Sequence, residues 1–347
     1  KLPYNRPRLI EIHDQPWCPA PIRQHVQSVL TFLWLHRIPP FQSKAPYEPA
    51  ADLLEQLLRE IEEDESGSGA SGTSGKGRLR VVDCCSGAGG PMPRKSVVSS
   101  RLTRLRPGST QTLLLTFQRE EGKEERPVLP VLLSDLHPHL AAWTEHAQAS
   151  TSSALAFLPY SVDATHAPSE VRKGRHIRTF CLSFHHFGEE GARRVLEDAM
   201  RTAEGIVWVL PLLRLSSVMP NAYHQIFELQ EANLGSVLTI LALWPLLYII
   251  TPFIDRPLVS LLAAMHKTAH TNSAVILFLT YIIPVVPFII VLDGLISAWR
   301  TRTLSHIRHL AKLAALTLSL EGREKDGVGW RWTETVSYTH LRAPRPE

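Results

Sequence analysis

Cysteine is scarce in this chain of 347 residues: four copies, Cys18, Cys84, Cys85 and Cys181, with no CxxC pair among them. That excludes a small secreted disulfide framework and suits a reducing compartment. Charge is sparse as well, at 20% of residues with a net charge of only +4. Basic residues are scattered among acids and no strip of one sign forms, so no nucleic-acid partner is expected. No basic stretch leads into an apolar run near the N-terminal end, and no signal peptide is expected. Internal repeats are absent. What is plentiful is apolar side chain, 44% of the total, which excludes wholesale disorder and leaves room for one large domain or two ordinary ones.

The apolar residues are unevenly spread. Val237 to Ile254 is a run of 18 residues without a charge, closed by Asp255-Arg256, and Ala274 to Leu292 is a run of 19 closed by Asp293. At about 1.5 Å per residue each reaches close to the ~30 Å hydrocarbon core of a bilayer. Both contain proline (Pro245, Pro252, Pro284, Pro287), which kinks a helix or frees carbonyls that neighbours must satisfy. The expectation is a hydrophobic helical hairpin over 236–298 that spans or re-enters a membrane. Two buried helices of a globular domain are the alternative. Arg300, Arg302, Arg308 and Lys312 follow the second run, which places that flank and the soluble body on the cytoplasmic side.

Residues 1–64 read as an N-terminal helical cap. Val26–Leu35 is an apolar helical stretch stopped by Arg37-Ile38-Pro39-Pro40, and Leu53, Leu54, Leu57 and Leu58 make a helical stripe. A Gly/Ser linker occupies 65–77. Strands and helices then alternate over 78–235. Strands are expected at Leu79–Cys84, Val128–Ser134, Ala156–Pro159, Ile177–Ser183 and Ile226–Gln230. Helices are expected at His139–Gln148 and Glu189–Ala203, the second with Ala192, Val195, Leu196 and Ala199 on one face. Such alternation implies an α/β fold, a mainly parallel sheet with helices on both faces. Residues 299–347 read as an amphipathic helix and a tail, and Val336–Glu347 does not read as a strand of the domain.

Chemistry concentrates at Val81-Val82-Asp83-Cys84-Cys85-Ser86-Gly87-Ala88-Gly89-Gly90, where a β-branched strand runs into a carboxylate and a glycine-rich turn. Such a turn, at the carboxyl edge of an open α/β sheet, makes a crevice for a nucleoside. The dinucleotide fingerprint G-x-G-x-x-G fails, since Met92 stands at its third glycine, and the Gly-Lys-Ser/Thr end of a P-loop is missing.

The run resembles the first motif of the class I S-adenosylmethionine-dependent methyltransferases, and further segments follow in that family's order. Val131-Leu132-Leu133-Ser134-Asp135-Leu136 looks like the second strand with its ribose-holding acid. Ser161-Val162-Asp163-Ala164 looks like the third motif, whose acid receives the adenine amino group. Thr179 to Phe187 resembles the fourth strand, and Phe227-Glu228-Leu229-Gln230 would be the fifth. Within the family the chain is most similar to fungal proteins that join a methyltransferase-like domain to an apolar hairpin. Tyr4 to Trp17 and Asp293 to Thr303 share that likeness, which brings no established substrate. Two surpluses depart from the pattern, near 94–126 and near 207–225.

The resemblance implies a Rossmann-like fold with S-adenosylmethionine as cofactor, held by Asp83, Ser86, Gly87, Ala88, Gly89, Asp135, Leu136, Asp163, Ala164 and Phe184. His185 and His186 follow the fourth strand and are the candidates for a catalytic role, against packing or cofactor contact. The acceptor is expected to be a small molecule or a lipid. Bland alternatives stand beside these readings: a turn without ligand for Gly87 and Gly89, and loop acids or helix caps for Asp135 and Asp163. Cys84-Cys85 is expected to pack at a strand end, Arg172 to Arg175 to form a solvated loop, and His13-Asp14 and Trp17 are candidate substrate contacts. His137, His139, His185 and His186 lack a carboxylate or thiolate at a recognisable spacing, so no metal is expected there. A catalytically inactive membrane scaffold is the rival function, and a nicotinamide oxidoreductase a distant third.

Overall fold

The computed structural model describes residues 9–37, 79–92, 130–149, 155–209, 234–250, 284–320, 331–335 and 338–342, with short pieces at 45–48, 50, 54, 212–213, 227–228, 254, 278 and 282. The linker at 65–77, the 94–126 surplus and most of the Leu53–Leu58 helix lie outside the described residues. In chain order the elements are α1 (Ala20–Leu35), β1 (Arg80–Cys84), β2 (Val131–Ser134), α2 (Leu140–Ala149), β3 (Leu155–Phe157) and α3 (Ser169–Arg172). There follow β4 (His176–Cys181), α4 (Glu189–Thr202), β5 (Gly205–Val209), β6 (Leu212–Leu213), β7 (Phe227–Glu228), α5 (Leu234–Ile250), α6 (Val285–Arg300), α7 (Leu304–Leu320), β8 (Arg331–Thr335) and β9 (Tyr338–Arg342). The chain divides into two compact units, one of residues 1–43 and 212–303, the other of residues 44–211 and 304–347.

The second unit holds a seven-stranded sheet in the order β3-β2-β1-β4-β5-β9-β8. The first five of these strands are parallel, and β9 runs antiparallel to both β5 and β8. Strand register fixes the two faces. Val82, Leu132, Arg178 and Ile206 align across four strands, and Cys84 aligns with Phe180 and Trp208. That face packs on Ala192, Val195, Leu196 and Ala199 of α4, all fully buried, and on Ile307, Leu310, Ala311, Ala314 and Leu318 of α7. The opposite face carries Val81, Asp83, Leu133, Ile177 and Thr179, and Trp143 of α2 packs beside Phe157 with ring centroids 5.8 Å apart. The α/β reading of a mainly parallel, Rossmann-like sheet therefore holds.

Two strand assignments need correction. The fifth parallel strand is Gly205–Val209, which runs into the start of the 207–225 surplus, and Phe227–Glu228 instead pairs antiparallel with Leu212–Leu213 in a small separate sheet. The chain turns directly from α4 into the sheet: the Ala203 N–H closes the helix on the Ala199 carbonyl, and the Glu204 N–H donates to the His176 carbonyl on β4 at 2.8 Å. The tail is also part of the sheet, since Tyr338–Arg342 pairs with β5 from Val209↔Tyr338 to Gly205↔Arg342. Its sequence is polar and alternates weakly, and its pairing comes from the open edge of β5, a context that strand propensity does not encode.

In the other unit the middle of the expected 236–298 hairpin lies largely outside the described residues. No helix among the described residues is long and apolar enough to cross a membrane. Helix α5 has 17 residues, about 26 Å of rise, and contains Pro245. The described end of the second run lies in α6, which begins at Val285 and continues through Asp293 to Arg300. Ile240 and Leu247 of α5, Val286, Ile289 and Ile290 of α6, and Val26 and Val29 of α1 form one buried cluster. Trp244 meets Phe288 edge-on at 6.4 Å. Asp293, expected at the end of the apolar stretch, is buried inside α6, where its carboxylate accepts the Ile12 and His13 N–H groups at 2.7 and 3.0 Å.

Candidate functional site

Strand order reverses between β1 and β4, because the chain runs outward from β1 through β2 to β3 and then returns to the other side of β1. Open α/β sheets bind ligands at the carboxyl ends of strands at such a reversal. Both chains leaving these two strand ends are bent sharply. Cys85 after β1 and Leu182 after β4 each have φ of 59°. For residues with a Cβ this left-handed region is strained by about 1–3 kcal/mol, and such strain concentrates at functional sites. No sequence signal marks either position.

Downstream of Cys85 the strain passes to glycine. Gly87 and Gly89 have φ of 55° and 118°, and the turn closes with the Gly89 N–H donating to the Ser86 carbonyl at 2.7 Å. Ser86 braces the turn against both strands: its hydroxyl donates to the Asp83 carbonyl at 2.9 Å and lies 3.2 Å from the Ser134 carbonyl. Ser134 returns the brace, its own hydroxyl donating to the Asp83 carbonyl at 3.0 Å. Ala88 is buried within the turn.

Asp135 follows β2 and reaches the glycine turn. Its Oδ2 accepts the Gly87 N–H at 2.7 Å, and its Oδ1 accepts the His137 N–H at 2.7 Å. The structure thus brings together the two residues on which the nucleoside reading most depends, one on the other. Each carboxylate oxygen has a second lone pair, so vicinal hydroxyls retain acceptors here. Leu136, beside it, is half exposed and offers an apolar surface. Asp83 sits beneath the turn, fully buried. Its Oδ1 accepts the Thr179 hydroxyl at 2.6 Å, while Oδ2 has no hydrogen-bond partner among the described residues. Burial pushes its carboxyl up to about 7, and the hydroxyl of Thr179 opposes that shift.

The half of the site built by β3 and β4 is arranged otherwise. Asp163 is exposed, and its Oδ1 accepts the Thr165 N–H and hydroxyl, each at 2.8 Å, capping the short 3₁₀ turn Ala164–His166. Asp163→Ala is expected to lower stability by about 1 kcal/mol, read from the urea midpoint. Ala164 is buried in the core. Phe184 packs among Phe180, Phe187 and Trp208 with centroids 5.6–6.1 Å away. His185 is buried and His186 half-buried, their rings tilted together at 4.2 Å in a 3₁₀ turn. Burial pushes the Cys84 thiol up to about 12 and the Cys181 thiol well above its ordinary value, so neither is a thiolate at neutral pH. The residues around β1 and β2 therefore offer a glycine turn and carboxylate acceptors at the strand ends, whereas Asp163 and Phe184 already serve the fold.

No family model matches the sequence, and no curated protein matches it. Among solved structures, LepI in complex with SAM aligns at a TM-score of 0.38 and 13% identity, over 96% of this chain and 54% of its own. An O-methyltransferase family protein from Burkholderia thailandensis aligns at 0.34 and 13%, over 94% and 71%. A pericyclic reaction enzyme aligns at 0.34 and 11%, over 89% and 50%. The chain spans about half the length of the first of these. Likeness this slight carries no argument about activity, and the site stands on its own geometry.

Proposed function

We propose that the sheet unit is a class I S-adenosylmethionine-dependent methyltransferase domain. The observation that carries the reading is the glycine turn at the carboxyl end of β1, beside the strand-order reversal, with the Asp135 carboxylate on the Gly87 N–H. Five parallel strands edged by the antiparallel β9 support it, because the dinucleotide order continues instead into a sixth parallel strand. Bound S-adenosylmethionine would supply an activated methyl group on a sulfonium, so the protein's task is orientation and exclusion of water. Gly87 and Gly89 leave the backbone open to close approach, Asp135 would receive the ribose hydroxyls, and Leu136 would cover an apolar face of the nucleoside. His185 and His186, after β4, are the candidates beside the acceptor.

Membrane association and a lipophilic acceptor belong to the same proposal. Leu238, Leu241 and Ile249 of α5 are exposed while Ile240 and Leu247 of the same helix are buried, so α5 is apolar around its circumference. Helices of that kind are buried or lie against lipid. Release of the protein by carbonate extraction would count against it.

Equilibrium titration with S-adenosylmethionine tests the cofactor. Wild type is expected to bind at least tenfold more tightly than Gly87→Arg or Asp135→Ala, with NAD binding none of them. A non-catalytic scaffold is the second reading, favoured by the use of Asp163 as a cap and Phe184 as core. Wild type binding no better than the two variants decides for it, provided their thermal melts remain cooperative.

A further inference from the structure

Glu11-Ile12-His13-Asp14 forms a turn ahead of α1, in the unit that lacks the large sheet, and two helices of that unit hold it. The turn closes with the Gln15 N–H donating to the Ile12 carbonyl at 3.1 Å. Arg23 of α1 clamps it, donating from Nε to the His13 carbonyl at 2.9 Å and from Nη2 to the Gln15 and Cys18 carbonyls at 2.7 and 3.0 Å. Asp293, buried in the middle of α6, binds the Ile12 and His13 N–H groups and also the His13 side chain, with Nδ1 2.7 Å from Oδ2.

That last contact decides the chemistry. A carboxylate on Nδ1 fixes the ring orientation and places the proton there, so Nε2 becomes the ligand atom of the neutral imidazole. Nε2 lies 3.5 Å from Asp14 Oδ1. Glu11, 1% exposed, completes a group whose three ligand atoms all lie within 4.8 Å of one another. A cation held between the Nε2 lone pair and the carboxylate oxygen would be attracted to both. Ligands about 2.0–2.2 Å from a tetrahedral ion stand ~3.3 Å apart, close to the His13–Asp14 separation. Glu11 also lies 3.4 Å from Arg300 Nη1, a long contact that a closer cation would outcompete.

We propose that Glu11, His13 Nε2 and Asp14 bind one divalent transition-metal ion, with Asp293 as the carboxylate that orients the histidine. One imidazole with two carboxylates suits zinc or manganese better than calcium or magnesium, which take oxygen alone, or copper(I), which takes sulfur. The hydrogen bonds to Asp293 and Arg23 set the site before any ion arrives. Nothing in it depends on the methyltransferase reading.

The test is calorimetric titration of the chelator-treated full chain with Zn²⁺, and separately with Mn²⁺, joined to the visible absorption of a Co²⁺-loaded sample. One equivalent is expected, with a Co²⁺ d–d band of low coordination number. Asp14→Asn and His13→Gln should each weaken binding at least tenfold and shift or abolish the band. Asp293→Asn, which does not touch the ion, should weaken it by about 10–100-fold. Asp14 is half-buried, so its variant should keep a wild-type thermal melt and decide the matter if His13→Gln unfolds. Binding unchanged in Asp14→Asn would assign the ion to other histidines and overturn the proposal, as would less than half an equivalent in wild type.

Discussion

Asp198→Ala is expected to destabilise the sheet unit by about 3–5 kcal/mol, because it strands a buried cation. Arg178 lies on the central strand β4 and is fully buried, its Nη2 2.7 Å from Asp198 Oδ2 and 2.9 Å from the Thr202 hydroxyl, both on α4. Arg172 pairs with the other oxygen of Asp198. The remaining help is slight. Arg178 Nε is 3.5 Å from His176 Nε2, and Nη1 has no hydrogen-bond partner among the described residues. Without Asp198, a guanidinium would remain in the core against Val82 and Ile206 with a hydroxyl as its chief acceptor. Replacing both charges by apolar residues, as in Arg178→Met with Asp198→Leu, should recover much of the loss. Urea unfolding reads both results. An unchanged midpoint for Asp198→Ala would mean the pair contributes nothing.

Asp83→Asn is expected to stabilise the protein at pH 8 and to expose a pH dependence that the wild type conceals. The Asp83 carboxyl is raised from 3.8 to about 7 in the fold, so the native state holds its proton more tightly than the unfolded chain does. Its contribution is favourable at acid pH and is lost as pH rises from about 4 through about 7. A rise of that size costs the charged form about 4 kcal/mol. His176 works the other way. Burial lowers it from 6.5 to about 4; its Nδ1 lies 2.9 Å from the Gly174 carbonyl, which opposes the shift, and the Arg178 charge adds to it. Its contribution is therefore present above pH 6.5 and is lost as pH falls toward about 4. Over that window the two slopes oppose each other, and wild-type stability should vary little. Asparagine keeps the acceptor for the Thr179 hydroxyl but leaves an unpaired buried N–H, at about 1–3 kcal/mol. The net gain at pH 8 is thus about 1–3 kcal/mol, and below about pH 6.5 the variant should lose stability along the histidine's slope. Denaturant midpoints between pH 4 and 8 measure both, and parallel profiles for variant and wild type would refute the assignment.

Much of the fold is legible along the chain, for identifiable reasons. Ala192, Val195, Leu196 and Ala199 repeat at helical spacing, and all four are fully buried in α4. The Val81-Val82 strand ending in Asp83 and a glycine turn lies where the pattern places it, because β-branched residues and glycines carry their backbone preferences with them. The fifth strand is obscured because only Ala203 and Glu204 separate it from α4, so Gly205–Val209 reads as the continuation of the helical stretch. Phe227–Glu228 has the same local look but a different partner. Arg178 and Asp198, ordinary surface residue types, are core residues here only because strand register turns one toward the other.

Residue order alone specifies the elements whose preferences are local: the alternating strands and helices, the glycine turn after β1, the apolar composition of α5 and α6. Packing is what settles which strand neighbours which, that the polar tail closes the sheet against β5, and that Asp135 rests on Gly87. It also joins Asp293 to His13 across 280 residues. Local propensity is a property of a few neighbouring residues. Pairing, burial and the protonation they impose depend on groups that meet only when distant parts of the chain have packed.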